Sequence, residues 1–293
     1  SYKEFTVPDA VSGKVAISPD AQKIVATNYY NTNFSVINTA TGQITFLPQN
    51  GGTLGLAISN KGNIFATGGT SSNELIRFWD LNTNAYLGQI ETGVPTYGLI
   101  FNRSDDQIVV AGEPVKIYNF ANGDLVREYL ESGSYYRTLM FSEDETLLLA
   151  GGNDELVKLY IASSGDLIKT FAGHQGNVVS VCFSPDESKI YSGSNEDGYL
   201  IIWDKVSGDE IKRIKFKTGI VSIHIKPNGE IIVATVDGLI SVLDQNLTLT
   251  QTINEMKSQF DSDYNSTYDL IAAYDSDKFK IRLFKKIGHW EIW

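Results

Sequence analysis

Apolar runs of about four to eight residues recur along the whole chain, each bounded by Gly, Asn, Asp, Ser or Thr, which is the pattern of strands joined by turns. The clearest unit reads from Gly173-His174 to Trp203-Asp204. It predicts an apolar strand ending at Phe183-Ser184-Pro185-Asp186, a second strand into Ser192-Gly193-Ser194, a turn holding Asp197, and a third strand closing on Trp203-Asp204. The residue after each first strand falls at Ser18, Ser59, Asn102, Ser142, Ser184 and Lys226, in steps of 41, 43, 40, 42 and 42 residues. Spacing that regular marks an internal repeat. A seventh, compressed unit follows, with Phe260 near its first strand, Leu270 to Ala273 as its second and Phe279 to Phe284 as its third.

In the middle units a fourth strand is predicted at Tyr86 to Ile90, Leu125 to Tyr129, Leu167 to Phe171 and Glu210 to Ile214. The seventh unit offers none, whereas Tyr2 to Val7 stands before the first full unit and matches Leu167 to Phe171 in pattern. This segment is expected to supply the missing outer strand, with the tail Lys285 to Trp293 as a competitor for the same edge.

The Gly-His and Trp-Asp pair in a unit of this length resembles the WD-repeat family. The resemblance implies an all-β fold: a seven-bladed β-propeller of four-stranded antiparallel blades, the ring closed by the N-terminal strand in the last blade. Closure would leave only short, protected edges. The resemblance also implies a buried structural tetrad of His174, Ser192, Asp197 and Trp203, in which the imidazole links the carboxylate to the hydroxyl and the hydroxyl accepts from the indole. A Ser, a His and an Asp also invite a hydrolase reading, but no G-x-S-x-G elbow occurs, and a nucleophile needs an exposed hydroxyl beside an oxyanion hole. The other blades depart from the pattern. Blade two keeps Thr67 and Trp79-Asp80 without the His, blade four has Asp154 with Tyr160 in the Trp place, and blade six has Asp237 with Leu243.

Propellers of this family chiefly hold other proteins, so the expected function is a non-catalytic interaction scaffold or peptide-recognition module, without catalytic residues, metal or cofactor. Turns entering first strands and turns between second and third strands gather on one face, the top. There the sequence places Tyr29, Tyr30, Tyr97, Tyr135, Tyr136, Arg137, Gln175 and Asn177 as candidate partner-binding residues, because Tyr and Arg are enriched at binding hot spots. The alternative arises from the first blade. Its Val15 to Asp20, Val25 to Tyr30 and Phe34 to Gly42 resemble the Tyr-Val-Thr-Asn type of propeller repeat, whose wider group includes extracytoplasmic lactonases and quinoproteins with a metal or cofactor in the central channel.

Composition narrows the field. The 293 residues carry a net charge of −11, a field that repels polyanions and argues against nucleic acid as a partner. The one basic run, Lys212 to Lys217, falls on a predicted outer strand, where charges discourage edge-to-edge pairing. No stretch approaches the 18 or so uninterrupted apolar residues of a membrane span, so insertion is not expected. The single cysteine, Cys182, is expected as a small buried hydrophobe on an inner strand. One domain over residues 1–293 is expected, in the cytoplasm, with the Ser1 start consistent with a processed or excised part of a larger polypeptide.

Two further patterns are weaker. Asp261-Ser262-Asp263-Tyr264-Asn265 spaces oxygen ligands as a calcium loop does, but Ser266 stands where the loop needs Gly and Ala272 where it needs Glu, which leaves a solvated interstrand loop as the expectation. The pairs Gly68-Gly69 and Gly151-Gly152 are expected as tight-turn residues at strand ends.

Overall fold

The computed structural model describes residues 3–7, 13–29, 33–48, 51–69, 74–129, 134–254, 256–275, 280–287 and 289–292. Seven antiparallel sheets stand around a common axis. The first is Val15–Ile17, Lys23–Ala26, Asn33–Asn38 and Ile44–Pro48; the second Thr53–Ile58, Ile64–Gly69, Leu75–Asp80 and Tyr86–Glu91; the third Gly98–Phe101, Gln107–Ala111, Val115–Asn119 and Leu125–Tyr129. Blade four is Tyr136–Phe141, Leu147–Gly152, Leu156–Ile161 and Leu167–Ala172; blade five Val178–Phe183, Lys189–Ser194, Tyr199–Asp204 and Glu210–Lys215; blade six Ile220–Ile225, Ile231–Thr235, Ile240–Leu243 and Leu249–Ile253. The innermost strand of each blade contacts those of the blades beside it, and Val15–Ile17 meets Gln259–Asn265 to complete the circle.

Blade seven is built from both chain ends. Its inner three strands are Gln259–Asn265, Leu270–Asp275 and Lys280–Ile287. Lys3–Thr6 pairs with Lys280 to Leu283 as the outer strand, as the sequence pattern predicts. His289–Ile292 turns back and pairs with Phe284 to Ile287. The tail therefore takes the next stretch of the edge instead of displacing the N-terminal strand. Tyr2 and Phe279, which the sequence placed at the ends of these strands, lie outside the described residues, as does Trp293.

Burial explains the sequence pattern. Second and third strands are covered on both faces by neighbouring blades, so they read as continuous apolar runs, such as Ile231–Thr235 and Leu147–Gly152, without a period of two. Seven apolar clusters among the described residues each fill one seam between blades. Alternate residues of one strand serve opposite seams: Ile24 and Ala26 face blade seven, while Val25 packs with Phe34, Phe65 and Trp79 toward blade two. Outer strands have solvent beside them and expose Leu87, Leu125, Val126, Ile168 and Leu249.

The turn after each inner strand carries a residue in the left-handed region, at Ala21, Gly62, Asp105, Glu145, Glu187, Gly229 and Asp269, with φ between 52° and 80°. These positions repeat the spacing seen in sequence and carry it through blade seven. Four hold carboxylates that reach back to the preceding blade. Asp105 accepts from the Asn60 and Lys61 backbone N–H groups at 2.7 and 2.9 Å. Glu145 accepts from Arg103 N–H, and Glu187 from Glu143 N–H at 2.6 Å. Asp269 binds the Lys226 ammonium at 3.0 Å. A non-glycine residue in this conformation costs about 1–2 kcal/mol, which a charge-assisted hydrogen bond to backbone can offset.

Two sequence expectations are corrected. Asp261 to Asn265 is not a solvated loop but part of the inner strand of blade seven, because its alternating polar side chains satisfy the neighbouring inner strands. The Gly pairs are not turn residues either. Gly68 and Gly151 lie within second strands, and an added Cβ would come within 2.2 Å of Thr96 Cγ2 or 2.6 Å of Val178 Cγ1 of the next blade. Glycine is there to admit a neighbour.

Candidate functional site

The four residues of blade five form a continuous buried chain. His174 Nδ1 lies 2.9 Å from Asp197 Oδ2, His174 Nε2 2.8 Å from Ser192 Oγ, and Trp203 Nε1 donates to Ser192 Oγ at 2.8 Å. Burial, opposed by Asp197, lowers the His174 pKa from its usual value, so the ring is neutral at pH 7. With Trp203 already donating to Ser192, the network assigns the Ser192 proton to His174 Nε2 and the imidazole proton to Nδ1, donated to Asp197. Burial works against the Asp197 carboxylate, but the Tyr199 and Gln175 N–H groups and His174 outweigh it and lower its pKa. Ser192 is fully buried. A substrate cannot reach its hydroxyl, which is already donated, and the chain of bonds fastens the top of blade five.

Blade four solves the same problem with different groups. Ala150 stands where blade five has Ser192, and it is paired with Lys158. The Lys158 ammonium lies 2.8 Å from Asp154 Oδ2 and 3.1 Å from the Tyr136 hydroxyl, which in turn is 2.8 Å from the Tyr160 hydroxyl. Burial opposes the charge, yet the bonds to Asp154 and Tyr136 prevail and raise the Lys158 pKa. Tyr136, expected on the binding face, is thus a core residue at 1 % exposure. Sequence reasoning missed Lys158; the signal was an apolar residue in the serine position with a lysine opposite it. In blade two Trp79 Nε1 donates to Thr67 at 3.4 Å, and in blade six Thr235 donates to Asp237 at 2.7 Å.

Residues 165–204 match the family model of the WD domain, G-beta repeat. The match starts in the turn before the outer strand of blade four and ends on Trp203-Asp204, which is one sequence repeat offset from the blade it helps to build. The chain is a seven-bladed propeller that carries a WD repeat at residues 165–204. Comparison with curated proteins returned no match.

The top face of this propeller holds an aromatic cluster. Tyr97 and Tyr135 meet edge to face at 5.5 Å between ring centroids. The Arg137 guanidinium lies 5.0 Å from the Tyr97 centroid and its Nε donates to Asn153 Oδ1. Burial raises the Tyr97 pKa, opposed by Arg137 and reinforced by Tyr135 and Tyr29. Tyr29 and Tyr135 are exposed and Tyr97 is half-buried. Gln175 and Asn177 lie on this face in blade five, Gln175 exposed and Asn177 tied to Glu196 at 2.6 Å. Tyr30 lies outside the described residues.

Below the cluster, a cavity of about 380 Å³ follows the ring axis, lined by inner-strand residues that include Leu56, Ile100, Arg137, Asp261 and Asp263. Asp261 Oδ2 accepts the Val15 N–H at 2.9 Å and Asp263 Oδ2 the Ile17 N–H at 2.8 Å. Burial, opposed by Lys14 and the Val15 bond, raises the Asp261 pKa. Both carboxylates are committed to stitching blade seven to blade one. Among the described residues no group of three or more His, Cys, Asp or Glu is placed to hold a metal, and no helix is long and apolar enough to cross a membrane.

Proposed function

We propose that the whole chain acts as one non-catalytic recognition module, which binds an extended peptide segment of a partner protein across the top face, in the cytoplasm. WD-repeat propellers generally serve as protein-interaction scaffolds, and the reading for this chain rests on one observation. Tyr97 packs against both Tyr135 and Arg137, Arg137 lines the axial cavity, and Tyr135 is exposed. Large, stiff, amphipathic side chains in that setting contribute much of the energy of peptide binding. The Ser-His-Asp relay supports the non-catalytic part, because its hydroxyl is buried and donated to His174.

The test is a double change, Tyr97→Ala with Tyr135→Ala, in an affinity capture with the intact ring. Capture is expected to fall by about ten-fold or more, since hot-spot residues commonly cost 2 kcal/mol or more each, while the melting curve stays in place. Undiminished capture would move the binding surface elsewhere.

A further inference from the structure

We infer that the channel mouth at Arg137 receives the carboxylate of an acidic side chain from an extended peptide, an inference that rests on the top-face reading above. Arg137 Nε is spent on Asn153, and the guanidinium plane sits against the Tyr97 ring. Its two terminal nitrogens have no partner among the described residues. The group lines the axial cavity and is half-buried. A guanidinium keeps its charge at any working pH and presents paired N–H groups that match the two oxygens of a carboxylate. Asn153 and Tyr97 hold the fork in place before any ligand arrives, so little side-chain freedom is left to lose on binding. The Tyr97 and Tyr135 hydroxyls also carry no partner among the described residues, and they add donors beside the fork.

Size and charge select the occupant. A cavity of about 380 Å³ admits a side chain and excludes a folded element. The net charge of −11 does not forbid an anion here, since exposed charges beyond about 8 Å are largely screened at physiological ionic strength. The acidic groups inside the cavity, which are too near to be screened, favour a single negative charge over two. Asp261 and Asp263 share the cavity, and Lys14 already faces Asp261 at 3.5 Å. One available guanidinium among these carboxylates suits a monoanionic carboxylate better than a phosphate dianion, and that difference can be read directly.

Capped nonapeptides with randomised flanks and a fixed central residue, Glu, Gln, Lys or phosphoserine, are immobilised as four pools and presented with the folded protein. The Glu pool is expected to retain about ten-fold more protein than the Gln pool, the scale of a hydrogen-bonded charge. Arg137→Gln should abolish that preference, Arg137→Lys should keep only part of it, and Lys212→Gln on the outer strand of blade five should leave it unchanged. Should Arg137→Gln fail to fold, Arg137→Lys and Asn153→Ala carry the test, because each keeps a positive charge and disturbs only the fork or its brace. Equal retention of the Glu and Gln pools, retention of none, or equal sensitivity to Lys212→Gln overturns the inference. Stronger retention of the phosphoserine pool also overturns it and transfers the site to phosphate. If the Glu preference is absent but capture still depends on Tyr97 and Tyr135, this inference falls and the top-face reading stands. If capture ignores those tyrosines as well, both fall.

Discussion

Lys3 stands opposite Leu283 and Ile292 opposite Phe284, so residues from the two ends of the chain occupy consecutive positions along one strand edge. The outer strand of blade seven is thus a composite. An N-terminal piece covers the half nearer the top, and a C-terminal piece covers the half nearer the bottom. Its two parts compensate each other, because any edge left uncovered presents unpaired backbone groups to a second molecule.

Removal of residues 1–7 should therefore bare Lys280 to Leu283 while leaving the tail in place. It also deletes Phe5 and Val7, which belong to the seam between blades seven and one. A lower melting temperature or concentration-dependent association is expected, measured by thermal melting and size-exclusion chromatography. A monomer with an unchanged melting curve would show that the N-terminal strand is not needed for closure.

Trp203→Ala should destabilise the fold by about 3–5 kcal/mol, the usual range for a large aromatic removed from a core. Ser192→Ala removes far less volume yet leaves the Trp203 N–H and His174 Nε2 without a partner in a buried site, which costs about 1–3 kcal/mol. Chemical denaturation distinguishes the two. If Ser192→Ala were silent, the relay would not contribute to stability.

Two buried groups push the pH dependence in opposite directions. The folded pKa of His174 lies below its reference of 6.5, so on acidification the unfolded chain takes up a proton that the folded one refuses. Its contribution is full above about pH 6.5 and is lost as pH falls through that value toward the folded pKa. Between pH 7.5 and 5.5, wild type should lose more stability than His174→Gln. The folded pKa of Asp261 lies above its reference of 3.8, so its contribution is full at low pH and is lost as pH rises through the folded value. Asp261→Asn, which keeps an acceptor for Val15, should gain on wild type as pH rises. Denaturation midpoints taken from about pH 3.5 to about pH 7.5, so that the Asp261 transition is followed from its start, would expose either sign as wrong.

Glu187 has a φ of 52° and accepts from Glu143 of the blade before it. Glu187→Ala keeps the strained backbone and loses the bond, and is expected to cost about 1 kcal/mol. Glu187→Gly loses the bond but also relieves the strain, so it should be close to neutral. Equal destabilisation by both, in denaturant titrations, would mean that the turn conformation is not strained.

Ser18, Ser59, Asn102, Ser142, Ser184 and Lys226 made the ring legible because each ends an inner strand at the same place in its turn, and local turn chemistry writes directly into sequence. Asp269 carries the same conformation, but its turn, Ser266 to Asp269, shares little with Ser184 to Glu187, so blade seven was visible mainly by its apolar runs. The relay in blade five could be read from its residue types. The one in blade four was missed, since Lys158 replaces a hydroxyl from across the sheet, and Ala150 in the serine place becomes a signal only once the register sets Lys158 opposite it. Tyr135 and Tyr136 differ by one residue at the start of a strand, where successive side chains point to opposite sides, and sequence gave no means to choose the exposed one. Asp261 and Asp263 resembled a loop because polar alternation on a channel wall looks like polar alternation in solvent.

The absent side chains at Gly68, Gly151 and Gly193 have a geometric meaning. Each lies where the second strand of one blade meets the start of the next blade's inner strand, against Thr96, Val178 and Ile220. A circle of sheets closes only if each step turns by the right fraction, and that turn is set by how near neighbouring backbones come at points like these. Bulk introduced there would act as a wedge and open the angle between blades, and a ring of seven with wider angles no longer meets its own beginning. At these three seams the curvature of the ring is encoded at positions where the chain contributes no side chain at all.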